Sequence, residues 1–331
     1  MIFKTEFDEE RKTCEKLTHI EDKISDPTLI EIDRLFGAAD VLSIKYAQKH
    51  YNKVRNISII APLIVFLFLL YDEAELHILI FAVLLLIIIL YLIYRKANNE
   101  NVHDKYLEYR VLAESLRVQY FISKAGIKEN VKNILPWLTK IRIPLVKNVL
   151  SEIPTETNKK EPIINCWIRD QMKYHDEAHK RALAQKKRND RYEKISLIAT
   201  IFFYAITLGF EVWMILSSPF DPVTANWIRA ALKIGVGTSS AITIFLANYY
   251  GKMSLSSKID EHLRMHWLYN TVEYEVMERK EESEELIIHL AREFLIENAI
   301  WYSHQKKNNR ILPLNDKKNI EVNLKPILAF L

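Results

Sequence analysis

Several groups of residues in this 331-residue chain have types and spacings that could do chemistry. His175 and His179 stand four apart in HDEAH (175–179), and His262 and His266 repeat the spacing. Two histidines one helical turn apart suit zinc. The zinc-protease pattern needs Glu beside the first His, and here that place is taken by Asp176. With no clear third ligand, both pairs read as solvated helix faces, and neither a metal nor another cofactor is expected. A second group combines charge with aromatic rings. HDKYLEYRVLAESLR (103–117) sets Arg110, Glu114 and Arg117 on one helical face, next to an apolar stripe of Tyr109, Leu112, Leu116 and Tyr120. CWIRDQMKYH (166–175) carries Trp167, Gln171 and Tyr174 in helical register and ends on His175. ENAIWYSHQKKNNR (297–310) supplies Glu297, Trp301 and a basic cluster. Two readings stand for this group. One is a helical stalk core with a buried ion network. The other is a ligand pocket, with arginines for an anionic group and aromatics for a base.

A third group places charge inside apolar stretches: Glu211 in one, Arg229 and Lys233 in the next. At equal depth Glu211 and Lys233 are expected to pair, which lowers the cost of keeping charge below the interface. A gate or selectivity element is the functional alternative. The last group is a stripe in which Ala231, Gly235, Ser239, Thr243, Ala247 and Gly251 recur every four residues. Small residues let helices approach closely, within one chain or between protomers. Gly237, Thr238 and Ser240 add polarity to the same helix, which makes it the most polar of the apolar stretches and the one expected to line a pore, with Gly235, Ser239 and Thr243 as candidates.

The elements that must hold these residues are long helices. Residues 57–71 and 76–94 are apolar runs separated by Asp72, Glu73, Ala74 and Glu75. Residues 195–216 and 227–250 form a second such pair, with Pro219 and Pro222 between them. Each pair reads as a transmembrane hairpin. The first run is about 22 Å long, slightly short for a ~30 Å hydrocarbon core, so Val54 is expected to join it while Lys53 and Arg55 snorkel. Lys53, Arg55, Arg95 and Lys96 flank the open end of the first hairpin; Lys186, Lys187, Arg188, Arg191, Lys194, Lys252 and Lys258 flank the second. Both connecting loops lack Lys and Arg. The positive-inside rule therefore places both termini in the cytoplasm. Residues 1–25 are polar and do not resemble a signal peptide.

Composition narrows the function classes. Six glycines are about a quarter of average usage, and their positions permit neither GxGxxG nor GxxxxGK[ST]. Two cysteines exclude a disulfide scaffold and a Cys-rich zinc module. With a net charge of +4 and no nucleophile–base set, the chain reads as neither an enzyme nor a nucleic-acid binder.

The expected fold is all-α, with four transmembrane helices in two tandem hairpins and long cytoplasmic stalks. Residues 1–50 form N-terminal helices, with Asp26–Pro27 opening the second. The first hairpin covers 51–96, a cytoplasmic helical region 97–194, the second hairpin 195–250, and C-terminal helices and tail 251–331. No proline falls between Pro162 and Pro219, so one helix of about 80 Å is expected there. The fourth span is expected to continue as a second stalk to about Arg279. Gly126 reads as the residue closing the helix over 103–125. Short helices are expected over 131–161. YNKVRNISIIA (51–61) and RYEKISLIATI (191–201) enter their spans alike, which suggests an approximate duplication of a two-span unit in one orientation.

The sequence HDKYLEYRVLAESLR after one hairpin, WIRDQMKYH before the next and ENAIWYSH near the end resembles the SLATT-type membrane effector modules of bacterial conflict systems, over residues 38–310. The closest version is the four-span form found behind a TRPM-like SLOG sensor domain, which has no counterpart here. The resemblance implies a homo-oligomeric, pore-forming anti-phage effector of the inner membrane, in contact with membrane lipid. Its trigger would be a nucleotide second messenger, sensed by the helices outside the membrane or by a separate cytoplasmic sensor protein. Tyr109, Arg110, Glu114, Arg117, Trp167, Gln171, Tyr174, His175, Glu297 and Trp301 match the motif positions. The alternative is a non-conducting anchor that recruits a cytoplasmic defence enzyme.

Overall fold

A computed structural model of the chain describes residues 4–99, 101–157, 160–217, 219–253, 255–279 and 283–308. The tail expected to be irregular after Asn308 lies outside them. Every regular element among the described residues is helical, so the protein is all-α. Its helices are α1 (Lys4–Arg11), α2 (Pro27–Glu73), α3 (Leu79–Asn99), α4 (Val102–Lys124), α5 (Val131–Ile134), α6 (Trp137–Arg142), α7 (Pro144–Ser151), α8 (Asp170–Ser217), α9 (Pro222–Met253), α10 (Leu255–Arg279) and α11 (Glu284–Asn308). A π-helical turn, Ile164–Arg169, leads into α8.

Local chemistry sets the helix ends. Asp26 caps α2 by accepting from the backbone N–H groups of Thr28 (2.9 Å) and Leu29 (3.4 Å), with Pro27 in the first turn. Asp221 caps α9 in the same way, accepting from Val223 and Thr224 at 3.1 Å. Gly126, at φ +74°, closes α4: its N–H reaches the Ser123 carbonyl (2.9 Å) and that of Ile127 reaches Ile122 (3.1 Å). The short helices expected over 131–161 are α5, α6 and α7.

The two halves share a plan. A helix of 47 or 48 residues (α2, α8) carries an apolar stretch. An apolar helix returns (α3, α9), and a polar helix then packs back along the first (α4 on α2, α10 on α8). Four helices are long and apolar enough to cross a membrane, and their apolar windows are only 6–11% buried. That uncovered apolar surface suits a lipid environment. The boundary expected at residue 50 falls inside α2, which runs unbroken from Pro27 to Glu73 with Pro62 within it. The composition changes there, but nothing in the backbone breaks. α8 likewise joins the polar region to the third apolar stretch.

Outside the apolar segments the helices form a head built on α4. Between Leu107 and Lys124 every residue is buried except Arg110 and Arg117. Residues 12–25 strap across α2. Asp33 accepts from His19 Nδ1 (2.6 Å) and from the Ile20 N–H (2.7 Å), and Asp40 accepts from the Thr18 hydroxyl (3.0 Å). The strap crosses at Gly37, where a Cβ would stand 2.3 Å from the Thr18 carbonyl oxygen. Gly37→Ala is therefore expected to push the strap off α2 at a cost of about 1–3 kcal/mol. Thermal unfolding in detergent checks this, and an unchanged midpoint would contradict the crossing.

Candidate functional site

The head contains a half-open cavity of about 290 Å³ where five helices converge. α4 contributes Tyr106, Arg110, Glu114 and Arg117 from one face; α8 contributes Gln171, Tyr174 and His175. α11 adds Glu297, Asn298 and Trp301, α10 adds Lys258, Glu261 and His262, and α2 closes one wall with Ser43, Ile44 and Ala47. Eight residues singled out in three separate sequence motifs thus line one space: Arg110, Glu114, Arg117, Gln171, Tyr174, His175, Glu297 and Trp301.

Tyr109 and Trp167 are placed elsewhere, in the packed core. Tyr109 is fully buried between Phe7 and Tyr46, ring centroids 5.9 Å from each. It adjoins Arg110 in sequence but points about 100° away around the helix. Trp167 stacks face to face on Phe121, centroids 5.1 Å apart. It sits in the π-helical turn, whose wider spacing takes it out of register with Gln171.

The cavity's charges are largely paired. Arg110 reaches Asp40 (3.1 Å) and Glu114 (2.5 Å), Arg117 donates to both Glu114 oxygens (3.0 and 3.3 Å), and Arg264 pairs with Glu297. Burial pushes the Glu114 carboxyl up, but Arg110 and Arg117 outweigh it and hold it below the usual carboxylate range. Lys258 lies over the Tyr51 ring at 5.6 Å. Tyr106 meets Trp301 edge to face at 6.0 Å. The cavity thus offers aromatic walls, a cation not locked in an ion pair among the described residues, and amide and carboxyl hydrogen-bonding groups. A small polar ligand carrying a ring fits that inventory.

The histidine pairs meet across α8 and α10. His175 Nδ1 lies 3.0 Å from His262 Nδ1, so one ring donates and the other accepts. His179 bonds the Ile259 carbonyl (3.1 Å) and His266 the Met172 carbonyl (3.2 Å). Burial and then the neighbouring His262 push His175 down to about 3; burial and Lys258 push His262 down to about 4. At neutral pH His175 and His262 are therefore uncharged, and the four rings form an interhelical seam, not the solvated faces expected from sequence. No metal-holding cluster occurs among the described residues.

Sequence reasoning missed Tyr106, Lys258, Glu261 and Asn298 and read His262 only as a possible ligand. The spacing of Lys258, Glu261, His262 and Met265, at i, i+3, i+4 and i+7, marks one helix face and was the available signal. Glu261 is pushed up to about 7, by burial first and then by Glu297. An acid whose native value exceeds its unfolded one binds more protons folded than unfolded, so its contribution falls as pH rises from about 4.5 to about 7. Glu261→Gln is expected to remove that decline and to stabilise the head at pH 8 by on the order of 2–3 kcal/mol. His175 and His262 titrate in the opposite sense, so the readout is the difference between variant and parent melts from pH 5 to 8. A constant difference would contradict it.

Comparison with protein-family models, curated proteins and solved structures finds no match to this chain.

Within the apolar segments, Glu211 takes a bidentate pair from Arg229 (2.8 and 3.0 Å), and Lys233 pairs with Glu73 (3.0 Å). This corrects the expected Glu211–Lys233 pair. α9 starts at Pro222 rather than at 227, so Arg229 lies deeper than expected and level with Glu211. The two pairs join α2, α8 and α9 at the end away from the head. The middle of the small-residue stripe packs within the chain, whereas Ala231, Ala247 and Gly251 are exposed. A Cβ on Gly235 would stand 2.9 Å from the Phe203 ring, and the Thr243 hydroxyl bonds Ser196 (2.8 Å) and Thr200 (3.1 Å). Ser239 bonds the Val236 carbonyl of its own helix (3.1 Å). Gly235 and Thr243 therefore face α8 rather than a space between protomers, because span three supplies the neighbour that small side chains admit.

Proposed function

We propose that this chain is a membrane effector of a bacterial anti-phage defence system. It forms a homo-oligomer in the inner membrane, with both termini cytoplasmic, and opens a conducting path when a nucleotide-derived signal or a partner protein engages the head cavity. One observation carries the reading: α2 and α8 both wall the cavity and run without a break into apolar stretches long enough to cross a membrane. Ala47 lies about 15 Å along α2 from Ile57, where the first apolar run begins. A ligand that binds one arrangement of these helices more tightly shifts their equilibrium, and the shift reaches the spans directly. The flanking lysines and arginines support the orientation. The likeness of three head motifs to SLATT-type modules supports the biological setting.

A second reading, a non-conducting anchor, draws on exposed Leu263, Trp267, Tyr274 and Met277 along α10, a face on which a cytoplasmic enzyme could dock. Membrane potential separates the two. Cells expressing the chain with its genomic neighbour should depolarise on phage infection, as a potential-sensitive dye reports. Protection from phage at unchanged potential would overturn the channel reading and favour the anchor.

A further inference from the structure

α2 and α9 meet closely at one level and part below it. A Cβ on Gly237 would stand 2.6 Å from Leu69. Toward the head the two helices diverge around a groove of about 630 Å³. Pro62, inside α2, has no N–H to give the Ser58 carbonyl, which loosens the helix where the groove opens. The walls are apolar, with Leu63 and Phe66 facing Ile242 and Phe245. Thr238 Oγ1, buried with no hydrogen-bond partner among the described residues, interrupts them. The mouth carries Arg55, Tyr249 and Tyr250.

These dimensions are those of one leaflet. From Phe66 to Arg55 the groove follows α2 for about 16 Å, close to half of a ~30 Å hydrocarbon core. Tyrosines and an arginine then fall at headgroup depth, where such side chains prefer to lie. Arg55 makes no ion pair among the described residues, whereas Arg110, Arg117, Arg169 and Arg264 of the head all pair with carboxylates. We propose that the groove between α2 and α9 holds one acyl chain of an anionic phospholipid from the head-side leaflet, with its phosphate on Arg55. The closed Gly237–Leu69 contact stops the chain end, and the uncompensated cation selects an anionic headgroup. Bound there, the lipid wedges apart the first and fourth spans, so its presence sets their separation.

Native mass spectrometry of the full chain released from nanodiscs of equal phosphatidylglycerol and phosphatidylcholine tests this. The expected result is one retained lipid per chain, with phosphatidylglycerol favoured at least threefold. Ile242→Trp fills the groove and should abolish retention; Leu63→Trp does the same from the opposite wall and serves if the first variant does not fold. Arg55→Gln should keep a lipid but lose the preference for phosphatidylglycerol. Equal retention of both lipids by the parent would overturn the proposal, as would retention untouched by either tryptophan. If a tryptophan changes the number of protomers while lipid retention stays constant, a second copy occupies the groove and the proposal fails.

Discussion

Glu114→Gln is expected to destabilise the head by about 3–5 kcal/mol, the range seen when one partner of a buried ion pair is removed. Glu114 is 6% exposed and receives both Arg110 and Arg117. Glutamine keeps the shape but not the charge, so two largely buried arginines lining the cavity lose their shared anion. Asp40 still compensates Arg110, whereas Arg117 is left against the Phe36 ring, 5.1 Å away. The effect depends on pH. Because the native carboxyl titrates below its unfolded value of about 4.5, its contribution is complete above that pH and disappears as pH falls through the native value. Parent and variant should therefore differ most at neutral pH and converge in acid. Thermal unfolding at pH 7 and pH 4 checks this, and equal differences at both would contradict the ion network.

Trp167→Ala should cost a similar amount, about 3–5 kcal/mol, by a different route. Trp167 is 1% exposed and stacked on Phe121. Its removal leaves a void between the π-helical turn and α4 and forfeits the ring stacking, and no charge is involved. The loss should thus be the same at pH 4 and pH 7, unlike that of Glu114→Gln. Since Trp167 stands outside the cavity, a variant held below its lowered melting temperature should still respond to whatever the cavity binds. A loss of response in a fully folded Trp167→Ala protein would place that residue in the site after all.

These two residues also show what could be read without coordinates. Helix extents were legible because their signals are local. Asp26–Pro27 marks a start, Gly126 marks an end, and the absence of proline between Pro162 and Pro219 leaves one helix free to run from the π-turn through α8. The face shared by Arg110, Glu114 and Arg117 was legible from spacing alone. The meeting of helices was not. Nothing near Lys258 or Glu261 in sequence says that α10 lies beside α4, and the histidine seam exists only once α8 and α10 are paired. Trp167 was misplaced because a π-turn breaks the four-residue register. The partner of Glu211 was missed because apolarity starts later than the helix does: the cap at Asp221 precedes the apolar run by more than a turn. The boundary at residue 50 followed composition, and a helix can change its solvent without changing its backbone.

Planar-bilayer current from the purified full chain tests the central claim most directly. The head side receives buffer, then cyclic mono- and dinucleotides, then a small-molecule extract of phage-infected cells, then the purified product of the neighbouring gene. The account predicts discrete current steps on at least one addition, and none from Ala47→Trp, which fills the cavity from α2 and must first be shown to fold and insert. Silence of the parent protein with every addition, or steps of equal frequency from Ala47→Trp, would contradict a cavity that drives the spans.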